Sequence, residues 1–318
     1  MAAAAQAQSA ETTTSFLPVA NSGRDRDRGD EMLARRTSPT RRTPLRLVPC
    51  QRCGAANFVS GDLPLLSPIT CGRCQRSMLI PMRLRQYELR KVLGVGGMGT
   101  VYQATDFLLQ RDVAAKLIRP ELAENRRMLE AFLREARYAA SLSHTNIIAI
   151  HSLEESEGHS LLTMELAAGG SLGHRLADQG RLPELQVLDL GIKIASALAA
   201  ALDKRLLHRD VKPGNILFDA AGEPKLADFG LARTLEDGDA DAEHAPWATP
   251  HYTAPERVLG QTESFASDLY SLAATLYHAA TGAEPFNAPT IKEVFAAHSQ
   301  DSAKRIMNIL ELDPYPGS

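Results

Sequence analysis

Hydrophobic and polar positions change rhythm several times along the 318 residues. Residues 1–45 hold almost no large apolar side chains. Ala, Gln, Ser and Thr give way to Arg24-Asp25-Arg26-Asp27-Arg28 and then to Arg35-Arg36-Thr37-Ser38-Pro39. Such a stretch cannot bury enough apolar surface to offset its chain entropy, so it reads as a disordered Arg/Ser/Thr-rich tail. The sharper alternative is a docking or phosphoacceptor arm, because Thr37 and Ser38 lie between basic pairs.

From residue 87 the pattern is that of a large folded domain. Residues 87–106 read as two strands around a Gly-rich turn, and 112–118 as a third strand. There the two-residue alternation puts Ala114, Lys116 and Ile118 on one face. Residues 125–142 follow with helical spacing, Met128, Phe132, Glu135 and Ala139 sharing a stripe. Residues 160–166 form an apolar strand. A long helix is predicted over 184–204, with Val187, Leu190, Ile194, Leu198 and Leu202 facing one way. Short strands, a loop-rich stretch and further helices complete the chain. Strands early and helices late predict an α+β chain with two lobes.

Composition narrows this picture. The chain is 44% hydrophobic and 23% charged, enough for a sizeable core in about two domains. It has no run of 18 apolar residues, so no membrane span is expected. Its first ten residues lack the basic and apolar regions of an export signal, and a cytoplasmic location is the expectation. The net charge of −3 conceals an asymmetry: residues 1–86 hold 13 Arg, no Lys and six acids, a balance of +7, and the rest carries −10. The overall balance argues against a general nucleic-acid binder, although the basic front end keeps an adaptor role open.

All four cysteines fall within 25 residues, as Cys50-Gln51-Arg52-Cys53 and Cys71-Gly72-Arg73-Cys74, two Cys-x-x-Cys knuckles 17 residues apart. Each knuckle lets two thiolates grip one ion from a tight turn, for which Gly54 and Gly72 supply permissive backbone. Four thiolates close a tetrahedral Zn²⁺ shell with no position left for chemistry. A segment this short cannot build a core, so metal would supply most of its folding free energy. Residues 46–82 are thus expected to be a zinc-ribbon-like module, the bland alternative being four free or redox-active thiols. The ribbon's expected role is docking a partner or bracing the chain, its positive charge lying against the negative domain.

The chemistry lies further on. Gly94-Val95-Gly96-Gly97-Met98-Gly99 lets backbone amides approach phosphate oxygens without side-chain clash, a weak signal alone. A strand follows it, not a helix, which disfavours a dinucleotide-binding unit. Lys116 on the third strand and Glu135 one helix later suit a lysine that neutralises phosphate charge while a carboxylate holds it. The decisive stretch is His208-Arg209-Asp210-Val211-Lys212-Pro213-Gly214-Asn215, with Asp228-Phe229-Gly230 beginning 18 residues after Asp210. Asp210 can accept a hydroxyl proton, Asn215 and Asp228 can hold Mg²⁺, and Lys212 can meet the transferring phosphoryl group.

With Ala254-Pro255-Glu256 following in order, residues from 87 to about 286 closely resemble the eukaryotic-like Ser/Thr protein kinases of bacteria. The resemblance implies a bilobal protein-kinase-like fold over 87–318, with a β-rich small lobe over about 87–167 and a helical large lobe over about 168–318. It implies ATP-dependent phosphorylation of Ser/Thr hydroxyls on protein substrates, autophosphorylation and a signalling role, with ATP and Mg²⁺ (or Mn²⁺) as cofactors. Asp210 would be the base, Lys116 the phosphate-binding lysine, Glu135 its partner, and Asn215 and Asp228 the metal ligands. Gly94, Val95, Gly96, Gly97 and Gly99 would cover the phosphates. Val101, Ala114 and Leu217 would sandwich adenine, with Met164 behind it and the hinge from Glu165 to Ala167 beside it. Thr249 would contact Asp210 and Lys212, and Asp268 would brace the catalytic loop.

Regulation is legible in outline. Thr234 and Thr253 are phosphosite candidates, and the acids at 236, 237, 239, 241 and 243 would either replace a phosphate opposite Arg209 or form a solvated loop. Two departures stand out. Ala248 replaces a usual glycine, and only 62 residues follow Glu256. Glu256 is therefore expected to lack its usual buried arginine, Arg305 being a stand-in, and the large lobe to be shortened. That shortening supports the alternative of a catalytically weak scaffold.

Overall fold

A computed structural model describes residues 44–119, 126–229, 233–234 and 250–300; of Glu135 only the backbone is described. The described residues from 44 onward belong to one compact unit.

It opens with two short hairpins. Strands β1 (Leu45–Pro49) and β2 (Ala56–Ser60) flank the first knuckle, and β3 (Pro68–Thr70) and β4 (Ser77–Leu79) flank the second. The two knuckles repeat one backbone pattern. The Cys50 N–H donates to Ala55 O at 2.8 Å and Cys50 O accepts from Gly54; Cys71 does the same with Arg76 at 2.9 Å and with Gln75. The residues that must take positive φ are Gly54 (68°) and Gln75 (58°), at equivalent places. Gly72 does not, so the expectation that it serves the turn is corrected: its N–H caps Asn57 Oδ1 at 2.9 Å.

Six antiparallel strands form the small lobe: β5 (Met82–Leu84), β6 (Tyr87–Val95), β7 (Gly99–Asp106), β8 (Arg111–Ile118), β9 (Ile150–Ser156) and β10 (His159–Met164), in the order β5-β6-β7-β8-β10-β9. Strand β5 leads straight out of the ribbon and pairs with β6, Leu84 opposite Tyr87, so the ribbon feeds the sheet without a linker. The sheet curls until its first hairpin meets its last strand. Arg85 pairs with Glu154 at 3.2 Å and the Tyr87 hydroxyl lies 3.3 Å from Ser152 Oγ. Both faces of β8 are buried. Val113 and Ala115 join Leu84, Leu89, Tyr102 and Leu161 on one side, while Ile118 joins Leu162 and the helix α1 (Arg126–Ala140) on the other. Phe132, Ala136 and Ala139 form the buried stripe of that helix, as i, i+4, i+7 spacing dictates.

Leu66 and Leu79 of the ribbon pack on the first of these clusters, and Ile80, next to Leu79, is wholly buried. Ribbon and small lobe are therefore joined by apolar burial and a shared sheet. Exposed ion pairs Arg83–Glu88 at 3.0 Å and Arg85–Glu154 at 3.2 Å add charge attraction between the basic segment and the acidic domain, and salt would screen this part.

Large-lobe helices are α2 (Leu172–Gln179), α3 (Glu184–Leu202), α4 (Pro255–Val258), α5 (Phe265–Thr281) and α6 (Ile291–Gln300). Strands β11 (Leu206–Leu207), β12 (Ile216–Phe218), β13 (Pro224–Leu226) and β14 (Arg233–Thr234) lie between α3 and α4. By length and composition alone helix α3 is long and apolar enough to cross a bilayer, although Asp189 and Lys193 interrupt its apolar run. Its stripe of Leu190, Ile194, Ala197, Leu198 and Ala201 nevertheless forms the centre of the large-lobe core with Leu172, Leu206, Ile216 and Leu272. A capping box at Ser264 starts α5, and Gly282 in the left-handed region stops it.

Candidate functional site

The catalytic loop runs from β11 to β12, and the structure pins it from three directions. Arg209 takes φ 67°, a left-handed conformation that costs a non-glycine residue of order 1–3 kcal/mol. Its N–H donates to Asp268 Oδ1 at 2.7 Å and the neighbouring His208 N–H to Oδ2 at 2.8 Å. Its carbonyl accepts from Arg257, and its guanidinium lies 3.3 Å from Glu263. Asp268 is thus the brace that the sequence pointed to. Burial drives its carboxyl upward, and His208, Arg209 and their amides only partly offset this, so its pKa stays raised.

Beyond the brace, one Asp210 oxygen (Oδ2) is fixed by Lys212 at 2.7 Å and by Asn215 Nδ2 at 2.9 Å. The same Asn215 nitrogen donates to Asp210 O at 2.8 Å. Both amide hydrogens being used, the amide oxygen of Asn215 is turned toward other ligands, and Asp210 Oδ1 is the carboxylate oxygen left to take a proton.

Asp228 also holds a left-handed backbone, φ 61°. Phe229 anchors it, buried in the core with its ring edge-on to His208 at 4.5 Å. The Asp228 carboxylate, half open to the cleft, meets the buried Lys116 ammonium at 2.7 Å. Desolvation works to raise this carboxyl, but Lys116, with His208 and Lys212 behind it, outweighs it and holds the pKa below the ordinary carboxylate range. Lys116 is therefore paired across the lobes with Asp228; the side chain of Glu135, its expected partner, lies outside the described residues.

The glycine-rich segment joins β6 to β7, with Gly94, Val95, Gly96 and Gly97 exposed. Gly99 has no room for a side chain, since a Cβ there would sit 2.2 Å from Leu117 O. Met98 packs on the Ile118–Phe132 cluster and Arg119 donates to Gly96 O at 2.8 Å, so the turn is tethered at its tip. Arg119 was not legible as a site residue.

For the adenine positions, register puts Met164 beside Ala114 and Val101 beside Lys116. Leu217, on β12, bridges to Ser171. At the hinge, Glu165 pairs with Lys225 at 2.9 Å, and Lys225 also donates to Thr145 O. Lys225, three residues before Asp228, is buried and carries no periodic signal that would have marked it. Ala167 lies half-buried after this pair.

Other expectations resolve as follows. Glu256 is half-buried and accepts a hydrogen bond from Ser267, a neutral partner in place of the usual arginine among the described residues. Thr253 is only 7% exposed, which sets it against a phosphoacceptor role in this conformation. The backbone of Thr234 pairs with Leu206 beside the catalytic loop. Thr249, the acids at 236–243 and Arg305 lie outside the described residues.

The second site is the sulfur cluster. The Sγ atoms of Cys50, Cys53, Cys71 and Cys74 all lie within 4.8 Å of one another, and the Cys50–Cys74 and Cys53–Cys71 separations are 3.6 and 3.7 Å. Tetrahedral zinc with Zn–S bonds of about 2.3 Å puts its sulfurs about 3.8 Å apart, so the residues fit the ion. Backbone donation from Cys74 and Arg73 lowers Cys71 to about 6. Donation at Ala55 pulls Cys53 down, but desolvation and the other three sulfurs push it up to about 11. Asn57 ties the knuckles together: its Nδ2 donates to Val48 O at 3.2 Å and to Ala55 O at 3.0 Å, and its oxygen accepts from Gly72. Sequence spacing gave no hint of it.

Residues 87–316 match the family described as protein kinase domain. The chain is 35% identical over 232 residues to serine/threonine-protein kinase PrkC of Bacillus subtilis, covering 72% of this chain and 36% of that protein. It is 38% identical over 217 residues to PknD of Mycobacterium tuberculosis (68% and 33%), and 39% identical over 206 residues to PknA of the same organism (63% and 48%). The aligned part thus spans between a third and a half of these relatives' own length.

Proposed function

The chain belongs to the protein kinase family, and from that membership and the geometry of its cleft we propose that it is an ATP-dependent serine/threonine protein kinase acting in signalling. The observation that carries this reading is the convergence of Lys116, Asp228, Asp210, Lys212 and Asn215 through four hydrogen-bonded contacts of 2.7–2.9 Å. Lys116 and Asp228 are already paired, and exchanging that pairing for phosphate oxygens and a cation keeps both charges satisfied. The substrate hydroxyl oxygen attacks the γ-phosphorus as the bond to the β–γ bridging oxygen breaks. The hydroxyl proton passes to Asp210 Oδ1, ADP departs with the bond's electrons, and Lys212 balances charge on the transferring group. Asn215 Oδ1 and Asp228 are hard oxygen donors suited to Mg²⁺ or Mn²⁺, which when bound would neutralise phosphate charge. Val101, Ala114, Leu217 and Met164 supply the apolar surfaces for adenine, and the Lys225–Glu165 pair steadies the hinge. Protein Ser/Thr side chains, its own Thr234 among them, are the proposed acceptors.

We further propose that the four thiolates hold a structural Zn²⁺, which supports the short hairpins that have no core of their own. Their being free thiols rather than disulfides fits a reducing, cytoplasmic compartment. Leu45, Leu47 and Phe58 are exposed together on the β1–β2 face, which favours an apolar protein surface over nucleic acid as the ribbon's docking partner. Incubation of the full chain with radiolabelled Mg-ATP and a mixed Ser/Thr protein acceptor tests the kinase reading. Label should enter protein with wild type and fail to do so with Asp210→Asn; equal labelling by both would overturn it.

A further inference from the structure

Arg209 immediately precedes the proposed base, and its surroundings are unusual. Its guanidinium is almost buried, 3.3 Å from Glu263 Oε2, and the other oxygen of Glu263 lies 3.7 Å from the Arg257 guanidinium. Arg257 in turn donates to Arg209 O. One carboxylate from the loop before α5 therefore draws together two arginines, one on the catalytic loop and one on α4. Asp268, the fourth residue of α5 and next to Ser267, holds the N–H groups of His208 and Arg209. The backbone of Arg209, left-handed and therefore strained, is gripped at its N–H, its carbonyl and its side chain. Arg209, Arg257, Glu263 and Asp268 line one small cavity that Asp210 also lines.

From this we infer that Glu263 is a positioning residue: a built-in counter-charge that clamps Arg209 and Arg257 and sets Asp210 for proton transfer without a phosphoryl group on the chain. The inference rests on the kinase reading of the cleft. A carboxylate supplied by the fold gives the Arg209 guanidinium an opposite charge at 3.3 Å that does not depend on prior modification. The acids at 236–243 are then not needed opposite Arg209.

The test compares full-length wild type, Glu263→Gln, Glu263→Asp and Glu263→Ala, each treated with phosphatase and then freed of it. Wild type should turn over at the same rate, within about twofold, before and after preincubation with Mg-ATP. Glu263→Gln should lose roughly ten- to hundredfold in kcat, as misplacement of a catalytic group does, with the KM for ATP little changed. Glu263→Asp should recover part of that loss, and added acetate should partly restore Glu263→Ala while leaving wild type unaffected. A merely structural role would produce neither the kcat-specific loss nor the acetate rescue. Wild-type kcat in Glu263→Gln, or wild type that stays inactive until it has been phosphorylated, would overturn the inference. Amide exchange at residues 208–212 separates the two readings. Faster exchange in folded Glu263→Gln, in a wild type that never turns over, would sink the kinase reading and leave the clamp standing; unchanged exchange would sink the clamp.

Discussion

The sulfur cluster and the cleft both gather side chains that lie far apart in the sequence, and they do it in opposite ways. The ribbon brings together four like groups, packs two of them out of solvent, and surrounds them with backbone amides and Asn57. Like charges at that spacing repel, so the arrangement is complete only with a cation at its centre. The cleft brings together unlike groups that neutralise one another in pairs, Lys116 with Asp228 and Lys212 with Asp210, on backbone held in strained conformations. A closed set of identical ligands holds one ion for good. Pre-paired opposite charges at an open mouth can exchange partners on each cycle.

That contrast can be broken or sharpened by experiment. The largest effect should fall on the cleft: Asp210→Asn, nearly isosteric, should cut turnover by roughly 10²–10⁴-fold without lowering the melting temperature, as read by phosphoryl transfer and calorimetry. Chelation of the ribbon metal comes next. One zinc per chain should be found in purified protein, and its removal should free Leu66 and Leu79 from the small-lobe core. A loss of only 1 kcal/mol there would lower the melting temperature by about 2–4 °C in a domain of this size. Zinc retention should weaken as pH falls, because protons compete for thiolates; a cluster that keeps its metal equally well across that range would contradict the assignment.

Another effect concerns His298, which is wholly buried, has its Nδ1 2.7 Å from the Tyr270 hydroxyl oxygen, and has its pKa lowered by that burial to about 4. Both states are neutral there at pH 7. Below about 6.5 the unfolded chain takes up a proton that the folded chain refuses until about 4, so stability falls across that window by up to about 3 kcal/mol. Melting temperatures should show the decline, and His298→Asn should flatten it. The smallest effect should come from Lys225→Met at the hinge. A partly exposed pair is worth about 0–1 kcal/mol, so the KM for ATP should rise roughly two- to fivefold with kcat unchanged.

How much of this was legible in the chain depends on the distance over which each feature is encoded. The two knuckles, the glycine turn, the stripe of α3 and the run from His208 to Asn215 are local patterns, and local chemistry gives them away. Asp268 was legible through its resemblance to a known brace. Strand β5 was not: three residues ending in Leu84 look like linker, and only pairing with β6 makes them a strand. The same holds for Leu66 and Leu79, whose apolar character does not say what they will pack on. Glu263 beside Arg209, Lys225 beside Glu165 and Ser267 beneath Glu256 are tertiary pairings with no periodicity, and charged residues read singly look like solvated surface.

The most direct measurement follows the product. Mass spectrometry of a serine- and threonine-bearing protein acceptor, incubated with the full metal-replete chain and Mg-ATP, should find phosphoryl groups on Ser or Thr hydroxyls, with one ADP released for each. The same chain should bind ATP yet leave the acceptor unmodified when it carries Asp210→Asn. Bound nucleotide with no phosphorylated hydroxyl from the wild-type chain would contradict the account at its centre.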